Sequence, residues 1–155
     1  MSSLTPYKGR TVSDGQRVKT YYNLHRGGYS VVAADGPDKG LVVAHAEQLL
    51  LRDVTFVISE AGRQRVIREK RKNVHAYAVG RLKKPCTLNE RPREWTLVHY
   101  NPYKMGSFYY IESVLIPSDR TLAACHWPQV LTPVYGAGMV YLNGHGCFGK
   151  DLGYE

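Results

Sequence analysis

The sequence predicts an α+β fold, in which a mostly antiparallel β-sheet accompanies one basic helix. Short apolar segments separated by turns that contain Gly or Pro run along most of the chain, as in antiparallel sheets. One segment, residues 60–72, combines a helix start signal with a run of basic residues. Together these two patterns favour one sheet-forming domain that carries one helix.

Length and composition limit the class of protein further. The chain has 155 residues, enough for one domain with its own core. Its 43% hydrophobic and 22% charged residues are typical of globular proteins and exclude wholesale disorder. The longest apolar run, Leu41–Ala46, is too short to cross a membrane, and residues 1–10 lack the apolar stretch of a secretory signal. We therefore expect a soluble protein that stays in the compartment where it is made.

The N-terminal part predicts an arm followed by strands. Residues 1–18 are polar and contain little periodicity, so we expect a flexible arm, with a single α+β domain over 19–155. Gly27-Gly28 lies between two runs rich in β-forming residues and predicts a hairpin. Further strands are expected at 41–46 and 54–58.

The helix is predicted over 60–72. Ser59 is suited to the N-cap, and Glu60 lies in the first turn, where a carboxylate interacts favourably with the helix dipole. Asn73 is a candidate for the helix end. Beyond it we expect strands at 74–82, 95–100 and 107–116, a loop at 83–94, and short later strands interrupted by Pro117, Pro128 and Pro133.

Two parts of the chain resemble each other and suggest related β units over 19–82 and 95–155. Tyr22–Arg26 resembles Tyr100–Lys104, and Leu41–Gln48 resembles Leu122–Gln129. Short matches among common residues also arise by chance. A duplication and a coincidence therefore both stay open.

The charge balance predicts an anionic partner. Lys and Arg number 21 against 13 Asp and Glu, which gives a formal net charge of +8, and residues 60–72 carry half of it. A charge run on a helix is often a solvated face. Here the charges are largely of one sign and repel each other, which favours a helix that faces an anion. Arginine dominates, and its planar guanidinium suits phosphate.

The candidate binding residues lie in and after this helix and in the turn that follows residue 100. Cations would bind phosphate, Asn side chains would bind polar edges, His75 would donate to a phosphate, and aromatic rings would stack. The set is Arg63, Arg65, Arg68, Lys72, Asn73, His75, Tyr77, Asn101, Tyr103, Lys104 and Phe108. Taken singly, His75 as a structural imidazole and Tyr77 as a core residue are the more common roles; the combination favours binding.

Nothing in the sequence identifies an enzyme. The nucleophile-elbow, zinc-protease and P-loop motifs are absent, and the carboxylates are scattered. Cys125 and His126 are neighbours, but adjacent residues of a strand point to opposite faces. The three cysteines form no CxxC pair of the kind that binds zinc. We expect no catalysis, no cofactor and no metal.

Four segments resemble small proteins of tailed phages. They are Tyr22–His25, Gly40–His45, Ser59–Ala76 and Tyr100–Lys104. The chain is similar to the Thoeris anti-defence family, phage proteins that sequester cyclic ADP-ribose signals made by bacterial TIR proteins. The resemblance implies a noncatalytic protein in the cytoplasm of an infected bacterium. It also implies a homo-oligomer that buries a nucleotide between subunits, with Arg on phosphates and aromatic side chains on adenine.

Two other functions stay open from the sequence. One is an anti-CRISPR-type inhibitor that binds a host defence protein or occupies a nucleic-acid groove. The other is direct nucleic-acid binding, although the basic helix has no helix-turn-helix context.

Overall fold

The computed structural model describes residues 4–84, 95–113 and 129–153. These residues form eleven strands and one helix. In chain order the elements are β1 (Leu4–Pro6), β2 (Arg17–Asn23), β3 (Gly28–Ala33), β4 (Val42–Ala46), β5 (Leu49–Ile58), α1 (Glu60–Glu69), β6 (Ala76–Leu82), β7 (Thr96–Val98), β8 (Phe108–Ser113), β9 (Gln129–Val134), β10 (Gly136–Asn143) and β11 (Gly146–Gly153). The predicted β-rich α+β class is confirmed.

Nine of these strands form one sheet in the order β1-β4-β3-β2-β6-β5-β10-β11-β7, and each neighbouring pair is antiparallel. The pairing of β5 with β10 joins the N-terminal strands to the C-terminal ones. The two predicted units therefore contribute to one continuous sheet, and whether they are related by duplication stays a prediction.

The large sheet is strongly curled. Tyr29 on β3 donates its hydroxyl hydrogen to the backbone oxygen of Asn143 at the end of β10, 2.9 Å away. These strands are four places apart in the sheet order, so the contact requires the cumulative twist of the intervening strands. The inner face encloses the main core, whose fully buried side chains include Val18, Val31, Leu49, Leu51, Leu82 and Val140.

A smaller apolar cluster lies on the outer face of the sheet. It contains the buried side chains of Leu50, Tyr141 and Phe148, with Trp95 and Met139 packed against them. Because side chains alternate along a strand, Leu50 points away from the main core that Leu49 and Leu51 occupy. This end of β5 is therefore covered on both faces.

The second sheet pairs β8 with β9 and adds to the main core. Phe108 stacks on Phe56 of β5, with ring centroids 4.5 Å apart, and Val134 is 1% exposed. An antiparallel bridge between His99 and Tyr109 connects β7 to β8. Burial of a large apolar side chain contributes about 1.5–3 kcal/mol, so these contacts fix the turn between β7 and β8 beside the sheet.

The N-terminal segment differs from the predicted flexible arm. Leu4–Pro6 forms β1 and pairs with β4, and Val12 is buried at 6% exposure. An edge strand leaves backbone donors and acceptors unpaired, and β1 satisfies those of β4.

The fifth strand is longer than predicted, since it starts at Leu49 and not at 54. Its register against β6 shifts between Arg52 and Thr55, and Asp53 has φ 53°. A bulge of this kind adds a residue to one strand and interrupts its alternation, so the sequence pattern reveals the strand only beyond it.

Some sequence-based expectations lie outside the described residues. They concern Cys86, Cys125, His126, most of the 122–129 match, and the strand residues 114–116.

Candidate ligand-binding surface

Helix α1 is defined by side-chain contacts at its start and by backbone geometry at its end. The Ser59 hydroxyl accepts a hydrogen bond from the Gly62 backbone N–H at 3.2 Å, as predicted for the N-cap. Gln64 and Arg63 both bond the Glu60 carboxylate and lower its pKa. At the other end Lys70 adopts a left-handed conformation with φ 54°.

The helix ends at Glu69, so the prediction that it continues to 72 is wrong. The Lys70 N–H still bonds the Val66 carbonyl oxygen at 2.9 Å, which is a left-handed C-cap. The cations Lys70, Arg71 and Lys72 consequently follow the helix as an exposed basic segment, here called the basic tail.

Arg63 connects the helix to the turn at 101–106. Its Nε donates to the Pro102 backbone oxygen at 3.0 Å, and its Nη1 lies 2.9 Å from Glu60 Oε1. A Cβ placed on Gly106 would lie 3.4 Å from the same Nη1. The guanidinium predicted to bind phosphate is thus partly used to position the turn.

Tyr103 and the start of the basic tail meet at one carbonyl group. The Tyr103 hydroxyl lies 3.5 Å from the Val66 backbone oxygen, the same atom that accepts from the Lys70 N–H. The Tyr103 side chain remains 61% exposed, and Lys104 beside it is exposed as well. An aromatic ring and several cations that are remote in sequence are therefore neighbours; we call this the helix–turn surface.

Beneath this surface lies a stack of aromatic rings. Phe108 stacks between Phe56 and Tyr100, and Tyr100 in turn contacts the imidazole of His75. Burial raises the pKa of Tyr100 to about 12, a change that nearby Arg63 partly opposes. The stack supports the helix–turn surface from below. His75 and Phe108, which the sequence predicts to bind the ligand, are instead packed within this stack.

The remaining cations of the helix point elsewhere. At 100° per residue, Arg65 and Arg68 lie 140–160° around the helix from Arg63, which faces the turn. Both are exposed, as are Lys72 and Asn73. The structure therefore brings Arg63, Tyr103 and Lys104 together, whereas Arg65 and Arg68 occupy the opposite side of α1.

Tyr77 belongs to a different group of residues. The Lys19 ammonium lies 3.8 Å above its ring, and Tyr21 contacts it edge-to-face. Burial raises the pKa of Tyr77, and the nearby hydroxyl of Tyr21 adds a smaller increase. This group lies on the outer face of the sheet, where β2 and β6 pair.

The two similar segments Tyr22–Arg26 and Tyr100–Lys104 both form turns, called here the Tyr-Asn turns, with the same hydrogen bonds. In each, the Asn side-chain oxygen accepts from the backbone N–H two residues later: His25 for Asn23, and Tyr103 for Asn101. The Asn backbone oxygen also accepts from the residues three and four positions on. Asn101, predicted to bind a ligand edge, thus forms the turn that presents Tyr103.

Two residues that the structure places in side-chain clusters, Tyr100 and His45, are absent from the binding residues predicted from the sequence. Tyr100 precedes the predicted Asn101 but is not in the predicted binding set, although the Tyr-Asn pair could indicate it. His45 lies in a further cluster, with Nδ1 3.1 Å from the Ser30 hydroxyl and its ring edge against Tyr7. Its Nε2 is buried and has no hydrogen-bond partner among the residues that the structure describes, and no sequence signal predicts this.

Metal clusters and membrane-spanning helices are both absent from the described part of the chain. Residues 4–84, 95–113 and 129–153 contain no group of three or more His, Cys, Asp or Glu side chains placed to hold a metal ion. No helix among them has the length and apolar character needed to cross a membrane.

Comparison with known proteins places the chain among phage proteins. A profile of the family described as Mycobacterium phage L5 gene 82 protein matches residues 11–121. The gene 82 protein of Mycobacterium phage L5 is 33% identical over 138 residues, which cover 84% of this chain and 92% of that protein. The chain belongs to the phage L5 gene 82 protein family. No solved structure matches it.

Membership in the gene 82 family confirms the resemblance to small phage proteins. The matched region spans α1, the basic tail and the turn at 101–106, so the helix–turn surface lies within the gene 82 family region. The further resemblance, to anti-defence proteins that sequester nucleotide signals, enters below as a proposal.

Proposed function

We propose that this gene 82 family protein captures a small anionic nucleotide on the helix–turn surface without transforming it. The observation that carries the proposal is the meeting of Tyr103 and Lys70 at the Val66 carbonyl. It gives one exposed aromatic ring next to a run of cations, which are the two groups that a base and a phosphate require.

The charges in this surface must supply the affinity. A helix C-terminus carries partial negative charge, which disfavours an anion. The side chains of Lys70, Arg71, Lys72 and Lys104 are the exposed cations available to offset it. Hydrogen bonds to charged groups contribute about 1.5–3 kcal/mol each, and one stacked base adds about 1–3 kcal/mol, so several of these cations must contact the ligand together to offset the cost of association.

In this proposal the ligand is a cyclic nucleotide immune signal of the infected bacterium, of the cyclic ADP-ribose or cyclic oligonucleotide type. A protein present in excess over such a messenger lowers its free concentration by binding alone. This would be an anti-defence function in the host cytoplasm, and a second subunit placed over Tyr103 would enclose the nucleotide.

Calorimetric titration with a panel of cyclic and linear nucleotides tests the proposal. We expect at least one to bind, and Tyr103→Ala to weaken that binding about 5- to 150-fold, because base stacking contributes roughly 1–3 kcal/mol. Tyr103→Phe keeps the ring and should retain most of the affinity. Tyr135→Ala removes another ring that is 48% exposed and serves as the matched control.

The absence of heat with every nucleotide at micromolar protein would reject the proposal. Equal losses of nucleotide affinity in the Tyr103→Ala and Tyr135→Ala variants would show that the nucleotide does not bind at the helix–turn surface.

An inhibitor that binds a host defence protein is the second candidate. It is favoured by apolar side chains that stay exposed beside cations at the first Tyr-Asn turn, where Leu24 is 57% and Tyr22 45% exposed next to Arg26. This function predicts no response to nucleotides and specific recovery of one host protein from infected cells. It also predicts that Leu24→Ser abolishes the recovery while Tyr103→Ala does not.

A further inference from the structure

A row of basic residues crosses the outer face of the large sheet. Strand register places Arg17 opposite Arg81, Arg81 opposite Arg52, Arg52 opposite Met139, and Met139 opposite Lys150. The row thus runs over β2, β6, β5, β10 and β11, and its four cations are all exposed. At about 4.8 Å between strands, it is roughly 19 Å long. We call it the cation row.

The chain neighbours of these residues establish that the row faces away from the core. Val18, Leu82, Leu51 and Val140 are 0% exposed and point inward. Each is adjacent in sequence to a member of the row, and adjacent side chains of a strand point to opposite faces. The cation row is therefore a surface feature built by strand register.

This arrangement is electrostatically unfavourable for the free protein. Like charges directly opposite each other in a sheet are destabilising. Within the described residues no carboxylate lies within 4 Å of any cation of the row. The ion pair found in this part of the chain joins Arg63 to Glu60. Arg81 instead donates to the Gly15 backbone oxygen at 3.1 Å, which orients the guanidinium without neutralising it.

Three acidic residues lie near the row, and none of them forms an ion pair with it among the described residues. The Asp14 carboxylate accepts from the Lys84 backbone N–H at 2.8 Å. Asp53 and Asp151 follow members of the row in sequence and are exposed beside it, with left-handed backbones of φ 53° and 55° opposite Gly138. Neither forms an ion pair with a cation of the row among the described residues, so four cations lie beside two unpaired carboxylates and the row keeps an excess of positive charge.

The shape of the row selects the kind of anion. At about 19 Å the row is longer than a single phosphate can cover, so its shape suits an extended anion. Nucleic acid has this form, because duplex DNA carries one charge per about 1.7 Å of its axis. Lys19, held above Tyr77 on the same face, extends the positive surface beyond Arg17.

We infer that the cation row binds the phosphodiester backbone of nucleic acid, through charge and without reading base sequence. This surface is separate from the helix–turn surface. Arg81 lies five residues along β6 from Ala76, the strand residue nearest the helix, or about 17 Å. The inference does not depend on the proposed nucleotide capture.

Fluorescence anisotropy with a labelled single strand and the corresponding duplex tests this inference. With about four phosphate contacts, duplex affinity should fall on the order of 100-fold between about 50 mM and about 200 mM salt. The combined variant Arg17→Gln, Arg52→Gln and Arg81→Gln should lose about 2.7 from the logarithmic salt slope. The Lys replacements at the same three positions retain the charge and should retain most of the slope.

A second triple variant is the matched control. Lys8→Gln, Arg65→Gln and Arg68→Gln remove the same number of exposed cations away from the row and should leave the salt slope unchanged. Equal weakening by both Gln triples would mean a diffuse charge effect and would overturn the inference. So would the absence of binding to either nucleic acid at low salt, or equally tight binding to polyglutamate that the row variant abolishes. The single-strand and duplex affinities then distinguish which form of nucleic acid is bound.

Discussion

The imidazole Nε2 of His75 lies 2.7 Å from the hydroxyl oxygen of Tyr100, and this hydrogen bond connects the start of β6 to the turn after β7. The other ring nitrogen, Nδ1, lies 2.7 Å from the Asn73 backbone oxygen. A carbonyl oxygen only accepts, so in the neutral ring Nδ1 carries the proton and Nε2 accepts from Tyr100. With His75 7% exposed, both contacts are held inside the protein and position the base of the helix–turn surface.

Removal of the Tyr100 hydroxyl should destabilise the fold. Tyr100→Phe keeps the ring that stacks on Phe108 but leaves His75 Nε2 buried without a donor. We expect the free energy of unfolding in urea to fall by about 1–3 kcal/mol. Tyr135→Phe removes an exposed hydroxyl and should change it by less than about 0.5 kcal/mol. Similar values for the two variants would show that the hydrogen bond contributes nothing specific.

Arg63 should hold the 101–106 turn against the helix. Arg63→Met keeps much of the aliphatic length and removes the bond to the Pro102 oxygen. We expect a loss of about 0.5–1.5 kcal/mol in stability and faster amide hydrogen exchange in residues 103–106. Glu60→Gln weakens exposed contacts with Arg63 and Gln64, which are worth little, and leaves the Arg63 bond to Pro102 in place, so it should leave the exchange of that turn unchanged. Unchanged exchange in Arg63→Met would contradict this role.

A methyl group at Gly80 should clash with the bulge in β5. A Cβ there would lie 2.8 Å from the Arg52 backbone oxygen and 3.0 Å from Val54 Cγ2. Since backbone cannot move aside as a flexible side chain does, Gly80→Ala should cost about 1–3 kcal/mol in thermal or urea unfolding. At Gly144 a Cβ would have no other described residue within 4 Å, apart from its chain neighbours. Gly144→Ala is therefore the control, and an equal cost at both sites would refute the steric explanation.

Stability should decrease in mild acid through His45. Burial lowers the pKa of His45 below its ordinary value of 6.5, and the positive charge of Arg26 lowers it further. The unfolded chain therefore binds a proton at a higher pH than the folded one. The contribution of neutral His45 is complete above about pH 6.5 and is lost as the pH falls below it.

The measurement is the free energy of unfolding between about pH 8 and pH 5, compared with His45→Gln, because other histidines also titrate in this range. The variant should show the smaller acid-induced loss. Identical pH profiles would exclude His45 as the cause.

Local features of the fold are predictable where a residue type has one characteristic structural role. Ser59 is recognisable as the N-cap because its hydroxyl satisfies a free N–H of the first turn. The end of the helix at Glu69 escapes prediction because Lys70 adopts a left-handed conformation that Gly or Asn usually occupies. The start of β5 escapes it because a bulge at Asp53 interrupts the alternation by which strands are recognised.

The candidate site is predictable only in part. Both segments of the helix–turn surface stand out in the sequence, but the contact of Arg63 with Pro102 spans 39 residues and depends on the packing of β7 and β8. Proximity in sequence groups Tyr77 with the helix, whereas the sheet pairs its strand with β2 and places it beside Lys19.

By itself the sequence determined the β-rich class, helix α1 and its start, and the excess of positive charge. It also determined the turns formed at Asn23 and Asn101. Each of these depends on composition or on contacts within a few residues. Only the tertiary structure decided which cations are neighbours. Arg17, Arg52 and Arg81 are far apart along the chain and form a row because strand register aligns them. Register follows from burying Val18, Leu51 and Leu82 on the opposite face, and that is a property of the whole sheet and not of any segment in it.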